Sequence, residues 1–283
     1  MTQSTIDTAS TPTLGAPRPV RVLAGFLAPP EGPGFVLGCM TVPLTLQDQA
    51  SAMAVYSECR DAVVARSPIN LGSPIVDGDR TLLDPVLGWP EVQAAVGLPF
   101  RVEWVDLSRV ISIQKFVFTD GLDDRVAAAA VGEVALRELC LPAGPQSLEL
   151  KVSPSGRGFT VSSPNPNLTL IGKADGPTMM FAPSLRSPYL TVAQYEGYFY
   201  LSNGHHRAAG LVRRGVTVVP AIVIEPPSFN VAGGVGLAQF GADILSTPVP
   251  PLVTDFWDGS VAVDSTQLKL NKYFRVTVDE FED

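Results

Sequence analysis

The chain has few of the residues that build metal centres, disulfide frameworks and polyanion-binding surfaces. Its 283 residues include 3 cysteines and 2 histidines, and its 20 lysines and arginines are outnumbered by 28 aspartates and glutamates. The cysteines, at positions 39, 59 and 140, are odd in number and far apart, which argues against a disulfide scaffold and against a zinc site. The formal net charge of −8 argues against non-specific nucleic-acid binding, which depends on basic side chains that neutralise phosphates.

Long hydrophobic runs are also missing. The apolar stretch at residues 216–224 is far shorter than the roughly 20 residues that a membrane helix needs. Residues 1–19 are rich in Ser, Thr and Pro, and they have neither the basic start nor the apolar core of a secretory signal. We therefore expect a cytoplasmic protein with no membrane partner. The composition leaves homo-oligomerisation open.

What the chain does contain is enough apolar material for a large core. Hydrophobic residues make up 46% of it, and 25 glycines and 26 prolines predict many turns. We predict a mixed α/β (α+β) fold, in which helices pack on a small mixed sheet. The predicted organisation is a flexible tail at residues 1–20, an α/β extension at 21–99, a central domain at 100–226 with an insertion at about 140–185, and an acidic extension with a late strand at 227–283.

Periodicity and turn residues predict the individual elements. Helices are predicted at residues 46–66, 123–139 and 207–214, with a short helix around residues 89–91. Strands are predicted at residues 20–29, 35–44, 102–105, 148–152, 159–162, 190–194, 198–201, 216–224 and 267–278. The glycine-rich stretch at 231–238 lacks the Lys-Ser/Thr ending of a P-loop, so we interpret it as a flexible linker.

The strongest chemical signal lies where a predicted hairpin meets the following helix. Both histidines are there, within the run Ser202-Asn203-Gly204-His205-His206-Arg207. A helix N-terminus offers unpaired N–H groups and a partial positive charge, and a glycine lets a ligand approach the backbone. Arg207 adds a planar fork of donors for phosphate oxygens, and the histidines can donate hydrogen bonds or move a proton. The corner predicts a phosphate site, although an ordinary helix start with two surface histidines remains the alternative.

The same segment resembles the ParB/sulfiredoxin-like superfamily. Residues 203–210 read NGHHRAAG, which is similar to the family signature (D/N)-G-x-(H/R)-R-x-x-A between a hairpin and an apolar strand. Residues 214–223 read RGVTVVPAIV and are similar to the ending of that motif. Residues 104–110, WVDLSRV, together with Gln114, resemble the opening strand and glutamine box of ParB-like domains. The resemblance covers residues 100–226 apart from the insertion.

The resemblance implies a site for a nucleoside triphosphate, ATP or CTP with Mg²⁺. Members include a CTP-dependent DNA clamp, an ATP-dependent sulfinic-acid reductase and a free-serine kinase. Gly204 would be the phosphate-loop glycine and His206 and Arg207 the phosphate ligands. His205 falls where sulfiredoxins have the reactive cysteine and ParB proteins a glutamate, which removes sulfiredoxin chemistry. The nucleotide-binding set implied by the motif is Ser202, Asn203, Gly204, His206, Arg207 and Gln114.

Three functions compete on this basis. The first is a phosphotransferase or NTPase acting on an unidentified small-molecule or protein acceptor, with His205, His206 and Arg207 as catalytic residues. Its Mg²⁺ would lie on the phosphate oxygens and be held by one or two carboxylates, for which Asp106 and Glu196 are the candidates, chosen for their proximity in the proposed fold. The second is a nucleotide-gated module that closes on a protein or DNA partner. The third is a ParB-like nuclease, for which the sequence offers no convincing cluster of metal ligands.

Overall fold

A computed structural model describes residues 17–29, 31–38, 45–127, 132–144, 150–155, 158–162, 168–175, 178–185, 188–233, 238–268 and 273–277. These residues form two compact units. The larger contains the described residues from Pro17 to Gly144 and from Pro188 to Gln267, and the smaller contains those from Pro145 to Ser187 and from Leu268 onward. Helices and strands are mixed in the chain, which confirms the predicted fold class.

The strands, in chain order, are β1 (Pro17–Val22), β2 (Ile75–Val76), β3 (Phe100–Asp106), β4 (Ile111–Ser112), β5 (Phe116–Phe118), β6 (Lys151–Ser155), β7 (Gly158–Ser162), β8 (Leu168–Asp175), β9 (Thr178–Leu185), β10 (Thr191–Tyr195), β11 (Tyr198–Asn203), β12 (Val218–Ile224), β13 (Val263–Leu268) and β14 (Tyr273–Thr277). The helices are α1 (Gly32–Leu37), α2 (Leu46–Val64), α3 (Asp84–Leu87), α4 (Pro90–Val96), α5 (Leu122–Val126), α6 (Glu133–Cys140), α7 (His205–Arg213) and α8 (Ala242–Leu245). Short 3-10 turns lie at Ala24–Phe26, Arg80–Leu82, Leu107–Arg109 and Val253–Trp257. None of the helices within the described ranges is long and apolar enough to cross a membrane.

A six-stranded mixed sheet organises the larger unit, in the order β2-β3-β12-β10-β11-β4. Strand β12 runs antiparallel to β3 and parallel to β10, and β10 and β11 form an antiparallel hairpin. Side chains alternate across β11, because Phe199 and Leu201 belong to one buried cluster and Tyr200 to another. The sheet therefore carries hydrophobic core on both faces.

Helix α7 continues this two-sided packing. Ala208 and Leu211 pack into the cluster that contains Phe199, whereas Ala209 packs into the one that contains Tyr200. The helix starts directly after β11 and leads into β12, as the hairpin–helix–strand order of the sequence predicts. Its observed start, His205, lies two residues before the predicted one.

Several other predicted elements are confirmed. Helix α2 begins with a capping box, in which Thr45 and Asp48 bond to each other's backbone N–H groups. It buries Ala52, Tyr56 and Cys59, which are spaced i, i+4 and i+7 on one face. Pro90 stands at the first position of α4, where its missing N–H costs nothing.

Four predicted elements are wrong in extent or type. The strand predicted at 20–29 ends at Val22, before a 3-10 turn, and Gly32–Leu37 is helical where the sequence predicts a strand from residue 35; residues 39–44 lie outside the described ranges. The helix predicted at 123–139 is two helices, because Gly132 has a φ of 123° that no helix accommodates. The late strand predicted from residue 267 starts earlier, because β13 begins at Val263, and Tyr273–Thr277 is also strand; residues 269–272 and 278 lie outside the described ranges.

The smaller unit consists of antiparallel strands, in keeping with the hairpin strands predicted for the insertion. Strands β14, β7 and β6 form one sheet in that order, and β8 pairs with β9 over eight residues. The strand predicted at 148–152 is observed at Lys151–Ser155; residues 148 and 149 lie outside the described ranges.

Candidate functional site

The start of α7 is built around Gly204, which has a φ of 90° in the left-handed region. A Cβ at this position would lie 3.2 Å from the Leu190 Cα, so both conformation and space favour glycine. The first bond inside the helix runs from the Ala208 N–H to the Gly204 carbonyl oxygen, at 2.9 Å. Gly204, the N-cap residue, has no side chain that could cap this end of the helix. The first turn therefore offers backbone N–H groups that have no partner within the helix, together with the positive end of the helix dipole.

The residues before α7 converge on the same corner. The Asn203 side-chain amide donates to the Tyr189 carbonyl oxygen at 2.9 Å and ties the corner to the start of β10. Strand β4 pairs with β11 in parallel, with Ser112 opposite Leu201, and Gln114 lies two residues beyond the end of this pairing. Ser202, Asn203 and Gly204 are thus consecutive at this corner, and β4 brings the segment that precedes Gln114 alongside β11.

Arg207 points into the protein rather than toward an open phosphate site. Its guanidinium donates to the carbonyl oxygen of Leu139 at 2.7 Å and also to that of Pro188. Burial lowers the pKa of this guanidinium, with the neighbouring Cys140 opposing that effect. The predicted phosphate fork is a structural clamp between α7, the end of α6 and the segment before β10. This corrects the role that the sequence suggests for Arg207.

His206 also has protein partners. Its Nε2 accepts the backbone N–H of Phe118 at 3.1 Å, and its ring stacks on the Phe118 ring. Burial lowers the pKa of His206 to about 4, with further lowering from Arg125 and Arg18. The imidazole is therefore neutral at pH 7, and the nitrogen that would accept a proton is occupied. The geometry does not support a proton-transfer role for His206 in this conformation.

His205 is the buried polar residue of the corner, with 5% of its surface exposed. Burial lowers its pKa to about 3, and a hydrogen bond with the backbone of Leu201 opposes the shift. Its Nε2 has no hydrogen-bond partner among the described residues, so the Leu201 bond is made by Nδ1. Buried polar atoms without a partner are uncommon and mark positions that need a functional or structural explanation.

Asp106 and Glu196, the predicted magnesium ligands, lie near opposite ends of the sheet. Asp106 is opposite Val218 at the start of β12, and Ala193 is opposite Ile224 at its end. Six strand residues span about 20 Å, and Glu196 lies three residues beyond Ala193. The two carboxylates therefore cannot share one ion. The expected proximity of the pair is wrong, because it was judged along the motif and not from the strand register.

Both carboxylates have local roles instead. Asp106 Oδ1 accepts the N–H and hydroxyl of Ser108, at 3.0 and 2.7 Å, and so begins the 3-10 turn at Leu107–Arg109. Glu196 lies in the exposed turn of the β10–β11 hairpin, where its side chain hydrogen bonds with Tyr195 and raises the pKa of that phenol. No group of three or more metal-binding side chains occurs within the described ranges.

Two neighbours of the corner come from the segment after residue 226. A Cβ at Gly233 would lie 3.2 Å from the Ser202 hydroxyl oxygen and 3.2 Å from the Ile113 side chain, and Gly233 has a φ of 103°. The backbone of Gln239 forms an isolated antiparallel β-bridge with that of Gln114. The buried side-chain Oε1 of Gln239 has no hydrogen-bond partner in the described part of the chain. The start of the predicted linker therefore packs closely on the corner. Residues 234–237 lie outside the described ranges.

Sequence reasoning does not find Phe118, Gly233 or Gln239. The glycine-rich composition at 231–233 is a signal for close backbone approach, but the same composition is typical of a linker. Phe118 and Gln239 carry no local signal, because they reach the corner through pairings that span 88 and 125 residues.

Comparisons with known proteins give no assignment for this arrangement. No family model matches the chain, and no match was found among curated proteins or solved structures.

Proposed function

We propose that this chain is a nucleoside-triphosphate-binding protein whose phosphate site is the start of α7. The observation that carries the proposal is the start of α7, a nine-residue helix whose N-cap is a left-handed glycine that supplies no capping side chain. Backbone N–H groups and the helix dipole favour an anion at such an end. The resemblance of residues 203–210 to the ParB/sulfiredoxin-like signature supports a nucleotide as the source of that anion.

The environment of the corner supports the same ligand. Ser202 precedes the corner with its hydroxyl beside Gly233, and Gln114 lies two residues beyond the pairing of β4 with β11. His205 contributes an unsatisfied buried nitrogen at the first position of the helix. A group that donates a hydrogen bond to this nitrogen would remove an energetic cost of about 1–3 kcal/mol.

The activity that we propose is a phosphotransferase or NTPase reaction in which His205 accepts a hydrogen bond from the attacking hydroxyl or water. Its low pKa keeps the imidazole neutral at physiological pH, so it would orient the nucleophile rather than hold a proton for long. Mg²⁺ would be bound mainly by the phosphate oxygens and water, as Mg²⁺ commonly is at nucleotide sites.

A nucleotide-gated binding module is the second candidate, and a specific observation favours it. His206 and Arg207, adjacent on the first turn of α7, hold β5, the end of α6 and the segment before β10. A ligand that shifted this turn would act on three neighbouring elements at once. Such coupling would suit a protein that changes its partner surface when it binds a nucleotide.

The binding test uses two glycines with similar conformations. Thermal unfolding is measured with ATP, ADP, CTP, GTP and UTP, each with and without Mg²⁺, on wild type, Gly204→Ala and Gly215→Ala. Gly215 follows α7 with a φ of 79°, and a Cβ added there would meet no atom within 4 Å, so it controls for backbone strain. A nucleotide at 100 times its Kd adds about 2.7 kcal/mol of stability.

We expect one nucleotide to stabilise wild type and Gly215→Ala but not Gly204→Ala. Stabilisation of all three proteins, or of none, would contradict a phosphate site at this corner. Turnover then separates the two candidates. Loss of turnover with retained binding in His205→Gln supports the enzyme, whereas stoichiometric binding with a changed oligomeric state and no turnover supports the module.

A further inference from the structure

A concave site separate from the Gly204 corner lies beside the last turn of α7, about 12 Å along the helix from its first residue. It is an open cleft of about 410 Å³, within the range of small-molecule sites. The cleft is lined by Arg21 of β1, by Thr119 and Asp120 after β5, by Arg213 of α7, by Trp257 of the 3-10 turn at Val253–Trp257 and by Asp264 of β13. Segments that are distant in sequence thus supply both positive and negative groups to one cleft.

Arg213 is the cationic group with spare donors. Its guanidinium carbon lies 5.1 Å from the centre of a Trp257 ring, and the indole N–H is itself fixed by the Ala209 carbonyl oxygen at 2.7 Å. The contact of Arg213 with Asp123 is long, at 3.8 Å, and the Arg213 side chain is 46% exposed. A guanidinium has five N–H donors, so this one can still bind a carboxylate while it remains stacked on the indole.

Asp120 is the anionic group with spare capacity. Its Oδ2 pairs with Arg18, whereas its Oδ1 is covered and has no hydrogen-bond partner among the described residues. An ionised carboxylate has about four acceptor sites, and the Asp120 side chain is 37% exposed, so it can accept a further hydrogen bond beside Arg18. Arg21 forms an ion pair with Asp264 at 3.3 Å and also donates a hydrogen bond to the Phe256 carbonyl oxygen.

We propose that this cleft binds a small zwitterion, with its carboxylate on Arg213 and its ammonium group on Asp120. The lining arginines Arg21 and Arg213 are matched by the aspartates Asp120 and Asp264, so neither a simple anion nor a simple cation gains from the cleft as a whole. A ligand that carries both charges satisfies both spare groups. This inference is independent of the phosphate site, because none of the cleft-lining residues belongs to the Gly204 corner.

The test compares ligands in which the ammonium and carboxylate groups are separated by increasing numbers of carbon atoms. Isothermal titration calorimetry is performed with glycine, β-alanine, γ-aminobutyrate and 6-aminohexanoate, and with propionate and propylamine as singly charged controls. The variants are Asp120→Asn and Arg213→Gln. Arg214→Gln is the matched control, because Arg214 neighbours Arg213, loses the same charge and does not line the cleft.

We expect one or two adjacent chain lengths to bind wild type and Arg214→Gln, with propionate and propylamine at least tenfold weaker. Each cleft variant should lower the affinity at least about tenfold, because each removes one charge-assisted hydrogen bond to the ligand. Arg213→Gln alters a half-exposed side chain, so it reports on the site even if Asp120→Asn impairs folding. No binding by wild type, equal binding of the singly charged probes, or unchanged affinity in Arg213→Gln would overturn the proposal.

Discussion

The imidazole of His206 lies nearly parallel to the ring of Phe118, with 5.9 Å between the ring centres and 8° between the planes. The same imidazole accepts the Phe118 N–H. One side chain thus joins the first turn of α7 to β5 in two ways. This arrangement explains why a polar residue of the motif can be partly buried without being charged, since a neutral imidazole offers an acceptor nitrogen and a flat apolar face.

Replacing His206 separates these two contributions. We expect His206→Phe to keep the stacking but to leave the Phe118 N–H without an acceptor, which should destabilise the protein by about 1–3 kcal/mol. His206→Gln offers a side-chain oxygen to the same N–H and should be milder. Denaturant unfolding gives the free energies, and amide exchange at Phe118 gives the site. Unchanged exchange at Phe118 in His206→Phe would show that the hydrogen bond does not form.

The two histidines predict a stability loss on mild acidification. Burial lowers the pKa of His205 to about 3 and that of His206 to about 4, from about 6.5 in the unfolded chain. The unfolded state therefore binds protons first, and stability that is present above pH 6.5 is lost as the pH falls toward 4. Each histidine contributes a slope of up to about 1.4 kcal/mol per pH unit.

This pH dependence can be isolated because the chain has only 2 histidines. The shifted aspartates, Asp48, Asp79 and Asp258, all have pKa values below 3.8, so they do not titrate between pH 5 and 7. Denaturant unfolding of wild type, His205→Gln and His206→Gln is compared across that range. We expect each variant to lose about half of the slope; a wild-type slope retained in both variants would contradict neutral, buried histidines.

Arg207→Lys tests the structural clamp. A lysine has one nitrogen and cannot reproduce the planar fork that reaches the Leu139 and Pro188 carbonyl oxygens, so we expect a loss of about 2–4 kcal/mol in the free energy of unfolding. Arg214→Lys is the control, because Arg214 makes an exposed contact with the Asp123 carbonyl oxygen and should change stability by less than about 0.5 kcal/mol. Equal stability of the two variants would contradict a structural role for the Arg207 hydrogen bonds.

Gly132→Ala tests why the predicted single helix is divided. Gly132 has a φ of 123° and no atom within 4 Å of a Cβ, so an alanine would meet backbone strain without a steric clash. We expect a destabilisation of about 1–3 kcal/mol. Gly34→Ala, in α1 and equally uncrowded, should be neutral or stabilising by up to about 1 kcal/mol. Thermal unfolding of the pair distinguishes strain from a general effect of alanine.

The parts of the fold that the sequence predicts well are those with a local cause. Helix α2 has a capping box and one apolar face, and the β10–β11 hairpin, α7 and β12 follow turn residues and a β-branched run. The errors arise where local patterns are ambiguous. An apolar segment after Pro33 suits either a strand or a short helix, and the alanine-rich run before Gly132 hides a break that depends on one backbone angle.

The candidate site likewise has features that local sequence signals predict and features that depend on residues distant in the sequence. Gly204 and the start of α7 could be predicted, because a glycine before a polar helix start is a local signal. The orientation of Arg207 could not, because its acceptors lie 68 and 19 residues away in the sequence. The separation of Asp106 from Glu196 depends on the register of three strands, which residue spacing does not contain.

The most direct test of a phosphate site at α7 is an NMR titration of ¹⁵N-labelled protein with the nucleotide that gives the largest thermal stabilisation, or with ATP and CTP if none does. We expect the NMR signals of the backbone amides of His205, His206 and Arg207 to shift saturably. The signal of the Gly215 amide, beyond the other end of the helix, should not shift. Shifts confined to other parts of the protein, or no saturable shift at all, would contradict a phosphate site at α7.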